Sequence, residues 1–220
     1  MGTSHNHLSA GGRPPCPDHF CSCYGSERER GSYLRAFVRE GLRGGERIVC
    51  IVPEDPHRLR DFCLGPLPEG ALSAPPTEQA EFLRPESVFM QEDVFSADQA
   101  LYQLESCIRQ AQDLGFRGLR VLFDGGWLRA NPLGIHQVVE YESRVNAVIR
   151  SLPCRVLCLY PRRVLSRSFL VYVLLAHPYL LRGDRLFFNP CHGDYDLLMT
   201  AATAKDVYSK ILKRLQAVPR

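Results

Sequence analysis

The stretch HFCSCYGSERERGSYLRAFVREGLRGGERIVCIV, residues 19–52, decides the fold. A short apolar segment leads through a tight turn into an amphipathic segment, and a second apolar segment follows. Apolar residues at helical spacing and the pair Gly44-Gly45 predict a helix over residues 26–45. The order strand, turn, helix and strand is the one found around a phosphate-binding loop.

The turn itself lacks the residues with which such a loop binds a nucleotide. The pattern needed is G-x-x-x-x-G-K-[ST], in which the lysine reaches the phosphates and the hydroxyl holds Mg²⁺. Here five residues separate Gly25 from Gly31, and Ser32 stands where the lysine belongs. Glu27 and Glu29 would repel phosphate oxygens at the place where these must lie. The sequence therefore predicts that the order of strand, turn, helix and strand is retained in a protein that does not hydrolyse ATP.

The remainder of the chain alternates between apolar strands and helices. The segment VLFD, residues 121–124, ends in a carboxylate, as the second half of an ATPase site does. Strands that lack period-2 alternation and are separated by helices favour a parallel sheet covered on both faces. The predicted fold class is α/β: three-layer and RecA-like, with a mostly parallel central sheet and helices on both faces. Strands are predicted at residues 19–24, 46–53, 87–94, 118–126, 154–161 and 184–190, and helices at 55–64, 96–115, 134–152, 164–178 and 195–215, with one or two helical turns at 77–83.

Length and composition fit a single domain with short extensions. The chain has 220 residues, of which 45% are hydrophobic, and its formal net charge of +3 is too small to indicate direct binding of nucleic acid. Residues 1–17 are predicted to be a disordered lead-in, 18–192 the domain, and 193–220 a C-terminal helix packed on it or extending it. No apolar run spans a bilayer and no secretory signal is present, so we expect a cytoplasmic protein without membrane contact.

Six segments of the chain, taken in order and spacing, resemble one known family. The chain is similar to the MEDS domain (methanogen/methylotroph, DcmR sensory domain), a sensory module related to RecA/KaiC-type folds. Tyr-Glu at 141–142, Cys-x-Tyr at 158–160 and His-Pro at 177–178 contribute most to the resemblance. The segments are DHFCSCYGS, FVREGLRGGERIVCIVPED, GLRVLFDGGWL, VVEYESRVNAVI, CRVLCLYP and LLAHPYLLRGDRLFFNP.

This resemblance implies a non-enzymatic sensor of small hydrocarbon derivatives, with no catalytic residues. Domains of this family occur alone or attached to DNA-binding segments or histidine kinases. The residues before and after the domain are too few for such a module, so we expect the signal to reach a separate regulatory protein, a kinase or a transcription regulator. A homodimer is left open.

A small, mostly apolar ligand is expected outside the carboxyl ends of the strands, where doubly wound sheets bind ligands. Trp127 follows two glycines at such an end and is either an aromatic wall of the site or a packing residue. The candidate ligand-binding residues are His19, Cys21, Tyr24, Asp124, Trp127, Tyr141, Glu142, Tyr160 and His177.

Glu142 lies in an apolar helix between valines, where a carboxylate must be paired, protonated or facing a cavity. A salt bridge would explain it without any function. Its candidate partners are Arg120, Arg144 and Arg155. Contact with a ligand or a proton-linked switch is the functional alternative.

His19, Cys21 and Cys23 alternate along a strand and are therefore predicted to share one face, which favours joint coordination of a metal. Structural zinc sites need further ligands, which would come from Cys16, His177, Cys191 or His192. No cofactor is required by the leading interpretation. A degenerate nucleotide-binding domain and a Cys/His metal, haem or redox sensor remain the alternatives.

Overall fold

The computed structural model describes residues 18–65, 79–91, 94–129, 135–149, 153–200 and 203–218. The strands in these ranges are β1 (His19–Tyr24), β2 (Arg47–Ile51), β3 (Ala80–Leu83), β4 (Met90–Gln91), β5 (Val94–Phe95), β6 (Leu119–Asp124), β7 (Cys154–Pro161), β8 (Tyr179–Arg182), β9 (Arg185–Phe188) and β10 (Gln216–Ala217). The main sheet has eight strands in the order β10-β9-β8-β1-β7-β6-β2-β3, and β4 pairs with β5 separately.

Six adjacent strands, from β8 to the edge strand β3, run parallel and make up most of the sheet. β1 lies between β7 and β8, and β6 lies between β7 and β2, so β7 separates the strand before the first turn from the strand that ends in Asp124. β9 and β10 add antiparallel pairs at the edge beside β8. Cys21 pairs in register with Cys158, and Cys23 with Tyr160.

The helices begin and end at the residue types that cap helices well. Ser26 accepts a hydrogen bond from the backbone N–H of Glu29, and Gly45 ends the same helix at φ 68°. Ser96 accepts in the same way from Gln99. The helices are α1 (Glu27–Gly44), α2 (Pro56–Leu64), α3 (Pro85–Phe89), α4 (Ala97–Asp113), α5 (Ile135–Ile149), α6 (Arg167–Ala176), α7 (Leu197–Thr200) and α8 (Ala204–Arg214).

Both faces of the sheet are buried, because alternate residues of the inner strands face opposite helix layers. On β2, Val49 and Ile51 lie in one core, and Ile48 and Cys50 lie in the other. The first core takes the buried sides of α4, α5, α6 and α8, and the second takes those of α1 and α2. Each fully buried Val, Leu or Phe contributes about 1.5 to 3 kcal/mol. The predicted three-layer α/β class is confirmed, and the relation to RecA/KaiC folds stays a prediction.

Two predictions for the segment before α4 are wrong. Ala80–Leu83 is a strand that pairs in parallel with β2, whereas a helical turn or two was expected at 77–83. In the predicted strand at 87–94, residues 87–89 belong instead to the short helix α3, which Pro85 begins, and residues 90, 91 and 94 belong to the separate β4–β5 pair. Residues 77, 78, 92 and 93 lie outside the described ranges.

The C-terminal part also differs from its prediction. Tyr179–Arg182 and Arg185–Phe188 form a hairpin, of which only the second strand was expected. The predicted helix at 195–215 is divided into α7 and α8, and β10 follows. The predicted lead-in at 1–17 lies outside the described residues. None of the helices described is both long and apolar enough to cross a membrane.

Candidate functional site

In the turn after β1, the chain's own side chains occupy the position of a bound anion. The backbone N–H of Gly25 donates to Oε2 of Glu29 at 2.7 Å. The guanidinium of Arg162 lies against Gly25, donates to the carbonyl of Cys23 at 3.1 Å and is 3.8 Å from Oε2 of Glu29. A backbone N–H that a phosphate would use in a phosphate-binding loop is therefore already bound to a carboxylate.

The carboxylate that ends β6 is bound to an arginine from the same turn. Nε of Arg30 donates to Oδ2 of Asp124, and Nη2 of Arg30 donates to Glu54 at 2.7 Å. The other oxygen of Asp124 accepts from the backbone N–H of Gly126 at 2.8 Å and from the hydroxyl of Tyr24 at 3.4 Å. Asp124 is fully buried, so water does not hydrate its carboxylate and these hydrogen-bond donors stabilise the charge instead.

Burial and the opposite charges act against each other in this pair. Burial acts to lower the pKa of Arg30, but the carboxylates of Asp124 and Glu54 outweigh it and raise that pKa above its ordinary value. Burial raises the pKa of Asp124 above its ordinary value, although Arg30 and the N–H of Gly126 act against it. Because Arg30 carries a charge at any ordinary pH, we assign an ion pair. A carboxylate paired in this way is not free to hold Mg²⁺.

A second polar cluster lies inside the core between the sheet, α5 and α6. Oε2 of Glu142 is 3.1 Å from Nε2 of His19, 3.2 Å from Nε2 of His177 and 3.5 Å from Sγ of Cys158. The hydroxyl of Tyr160 donates to the other oxygen, Oε1. Cys158 and Tyr160 alternate along β7 and so face the same side as His19 on β1. We call His19, Glu142, Cys158 and His177 the buried His–Glu–Cys cluster.

The four side chains of this cluster have almost no contact with solvent, the most exposed being His19 at 1%. Burial, together with the neighbouring His177, lowers the pKa of His19 to about 4 against the opposing effect of Glu142. Burial acts to raise the pKa of Glu142, but the two histidines outweigh it and hold that pKa below its usual range. Burial and Glu142 raise the pKa of the Cys158 thiol. A carboxylate beside two imidazoles and a thiol is thus enclosed in a low-dielectric core.

The Nδ1 atoms of both histidines face hydrogen-bond acceptors outside the cluster. Nδ1 of His177 is 2.7 Å from the carbonyl of Val173, and Nδ1 of His19 is 3.1 Å from Oδ1 of Asn146. The amide nitrogen of Asn146 donates to the carbonyl of Ala176 at 3.1 Å, which orients its oxygen toward His19. Both Nδ1 atoms therefore carry hydrogen, and both Nε2 atoms face the carboxylate.

Five aromatic rings pack together beside the end of β6. Phe95 is stacked on Trp127 with ring centroids 5.8 Å apart, and Tyr141 contacts Phe89 and Phe123. A cavity of about 170 Å³ lies next to these rings, between the sheet and the helices α3 and α4. Its lining consists of Val49, Ile51, Leu83, Ser87, Val88, Phe89, Ala100, Gln103, Leu104, Cys107, Val121 and Tyr141. The lining is predominantly apolar.

A larger groove of about 580 Å³ lies on the opposite face, between α1 and the β8–β9 hairpin. Glu40, Arg120 and Asp184 lie along it, and Arg120 binds both Glu40 and Glu46. This groove is open, and ion pairs satisfy much of its polar lining. The smaller cavity is the better enclosed site for an apolar molecule.

The predicted site residues fall into three groups. The buried His–Glu–Cys cluster contains His19, Glu142 and His177, and Tyr160 donates a hydrogen bond to it. The first turn brings together Tyr24 and Asp124. The aromatic group contains Trp127 and Tyr141. Cys21 is buried in the core without joining the polar atoms of the cluster. Two of the three arginine partners expected for Glu142 pair elsewhere: Arg120 binds Glu40 and Glu46, and Arg144 binds Asp98 and Glu140.

Several functional candidates were missed from the sequence. Cys158 was not among the candidate ligand-binding residues, although it precedes Tyr160 by two and therefore shares its face of β7. Asn146 lies one helical turn after Glu142, a spacing that places both on one side of α5. Arg30 and Arg162 could not be assigned, because their partners Asp124 and Cys23 are 94 and 139 residues away in the chain.

The fold and the first turn define a class: a three-layer α/β domain in which the chain's own side chains bind the backbone of the turn between β1 and α1. The chain belongs to the MEDS family, MEthanogen/methylotroph, DcmR Sensory domain, whose sequence model matches residues 18–178. This is a family of sensory domains, so a sensory role is established at that level. A search of curated proteins found no match.

Proposed function

We propose that this domain detects a small, mostly apolar molecule in the 170 Å³ cavity and passes the signal to a separate regulatory protein, without catalysing a reaction. The observation that supports it is an apolar cavity beside five aromatic rings in a chain of a sensory family. An apolar cavity of about 150 Å³ binds benzene. The cavity therefore suits a molecule of the size of a small hydrocarbon or one of its derivatives.

The position of the cavity offers a route for the signal. Its walls come from the rigid parallel strands on one side and from α3 and α4 on the other. α3 has five residues and adjoins the short β4–β5 pair, and its buried residues Val88 and Phe89 line the cavity, so a ligand in the cavity would contact α3 directly. A ligand shifts the equilibrium between two arrangements of α3 only if it binds one of them more tightly. The exposed side of this region is then the surface that a kinase or transcription regulator reads.

The alternative of a nucleotide-binding domain without hydrolysis is disfavoured by the first turn. A phosphate would have to displace Glu29 from the N–H of Gly25, and Mg²⁺ would have to displace Arg30 from Asp124. The turn contains no lysine to compensate the phosphate charge. The same features support the proposal that the domain is not an enzyme.

Benzene and toluene serve as probes for the cavity, and their binding is measured as a rise in the melting temperature. A probe at tenfold its dissociation constant stabilises by about 1.4 kcal/mol, which raises the melting temperature of a chain of this size by about 3 to 5 °C. Ala100→Leu places a branched side chain in the cavity and should abolish the rise. Ala111→Leu, an equally buried change on α4 outside the cavity lining, should retain it.

No rise for either probe in the wild-type chain contradicts the proposed site. An equal rise in wild type and Ala100→Leu contradicts it as well, because the probe then binds elsewhere. Ala111→Leu reports the cost of a larger side chain in α4 by itself. For each variant, the rise is measured relative to the melting temperature of the same variant without a probe.

A further inference from the structure

We propose that the buried His–Glu–Cys cluster is a binding site for one zinc-type divalent metal ion, held by Nε2 of His19, Oε2 of Glu142, Sγ of Cys158 and Nε2 of His177. This inference is independent of the apolar cavity and of the ligand proposed for it. The four ligand atoms lie within 4.8 Å of one another, and no other group of this kind occurs among the residues described.

The spacing of these atoms matches a tetrahedral site. Zinc binds imidazole nitrogen and carboxylate oxygen at about 2.0 to 2.2 Å and thiolate sulfur at about 2.3 Å, so neighbouring ligand atoms are about 3.3 to 3.8 Å apart. In this structure Nε2 of His19 is 3.1 Å from Glu142 and 3.7 Å from Cys158. Oε2 of Glu142 is 3.2 Å from His177 and 3.5 Å from Cys158. A slight expansion of the cluster admits the ion.

The outer hydrogen bonds present the histidines in the form that binds metal. A metal-binding histidine almost always donates its other N–H to a carbonyl or carboxylate, which fixes its orientation. His177 does so to Val173, and His19 does so to Asn146, which is itself held by Ala176. In the neutral imidazole the Nε2 lone pair then points into the cluster. The hydroxyl of Tyr160 holds the second oxygen of Glu142 in the same supporting way.

The polar atoms of the cluster are incompletely satisfied by one another. Nε2 of His177 is fully buried and has no hydrogen-bond partner, although Oε2 of Glu142 is only 3.2 Å away. The contact lacks the geometry of a hydrogen bond, so the interaction between this nitrogen and the carboxylate is electrostatic only. An unpaired buried nitrogen destabilises the fold, and a bound cation would remove that cost.

The ligand types select the metal and the kind of site. Two imidazoles, a thiolate and a carboxylate are ligands that Zn²⁺ accepts in tetrahedral geometry. Four protein ligands leave no open position, so the ion would have a structural role. Binding replaces the thiol proton of Cys158, which is released to solvent. The ion would join β1, α5, β7 and the end of α6, the elements that surround the centre of the sheet.

The test uses the full chain, stripped with a chelator and then supplied with Zn²⁺ or Co²⁺ alone. We expect one metal ion per chain by elemental analysis. Co²⁺ should give the intense visible bands of a tetrahedral site and a near-ultraviolet band from thiolate to cobalt. A chain that binds well below one ion, or that binds Co²⁺ without the thiolate band, overturns the proposal.

Two variants show which thiol binds the ion. Cys158→Ser should lose the thiolate band, whereas Cys50→Ser, buried on the other face of the sheet, should keep it. Asn146→Ala should keep the band and weaken metal affinity by 10- to 100-fold, since it removes the support of His19. The band surviving in Cys158→Ser overturns the proposal. If Cys158→Ser does not fold, the Asn146→Ala affinity decides, and an unchanged value contradicts the assignment.

Discussion

Replacing Arg30 with methionine removes the charge partner of a carboxylate that has no contact with solvent. Arg30 is 6% exposed and Asp124 is 0% exposed, so neither gains hydration when the other is lost. Methionine keeps most of the length of the side chain and deletes its hydrogen bonds to Asp124 and Glu54. The variant therefore isolates the ion pair from packing.

The structure sets the size of the effect. Breaking a buried ion pair by removing one partner costs about 3 to 5 kcal/mol. Asp124 would keep the N–H of Gly126 and the hydroxyl of Tyr24, so we expect the lower end, about 3 kcal/mol. For a chain of this length that corresponds to a fall of about 6 to 12 °C in the melting temperature.

The assay is chemical denaturation of the wild type, Arg30→Met and the double variant Arg30→Met/Asp124→Asn. The double variant should be more stable than Arg30→Met, because no unpaired charge remains. Without Arg30 the folded-state pKa of Asp124 lies above its unfolded value. The destabilisation is then present above the folded pKa and shrinks as the pH falls through it.

A matched control is Arg84→Met, since Arg84 forms an exposed pair with Glu86 at 3.5 Å. This change should leave the free energy of unfolding nearly unchanged, as exposed pairs contribute little. If Arg30→Met were as mild as Arg84→Met, the Arg30–Asp124 pair would not stabilise the turn. Strict additivity in the double variant would refute the reasoning in another way, by showing no coupling between the two groups.

Two further changes test the first turn and the strand ends. In Gly125→Ala the new Cβ would lie 2.7 Å from the ring of Tyr160, which is fully buried, so we expect a loss of about 1 to 3 kcal/mol in the free energy of unfolding. Gly44→Ala, which meets only the flexible side chain of Glu46, is its control, and equal effects of the two would contradict the packing argument. Ser26→Ala removes the acceptor for the N–H of Glu29 and should cost about 1 kcal/mol by urea denaturation; an unchanged midpoint would show that the cap does not stabilise α1.

The sequence predicts the parallel part of the sheet well because its strands are buried on both faces. RIVCI and LRVLFD contain the apolar runs IVCI and VLF, and every residue of both strands is buried. Helix ends were predictable because Ser26, Asp55 and Ser96 are good caps and accept the expected backbone N–H bonds. These signals come from neighbouring residues in the sequence, so they can be recognised without knowledge of the fold.

Errors arise where an element is short or its stability comes from the fold. β3 has four residues and includes Glu81, so only its pairing with β2 makes it a strand. The β8–β9 hairpin did carry a local signal, since Gly183-Asp184 is a two-residue turn between apolar segments. That signal was overlooked.

The buried cluster shows the limit of reasoning from sequence alone. A carboxylate among valines predicts that Glu142 needs a partner, and this is correct. Its partner His19 is 123 residues away in the chain, and only the packing of α5 on the sheet brings the two side chains together. Arginines were expected as partners of Glu142, but Arg120 and Arg144 bind exposed carboxylates instead.

The most direct test of the account is calorimetric titration of the purified chain with ATP in the presence of Mg²⁺. Because Glu29 and Arg162 fill the turn and Arg30 holds Asp124, the account predicts no saturable heat of binding. Saturable binding of one nucleotide per chain that is weakened by Asp124→Asn would contradict it, since the frame would then still hold a triphosphate.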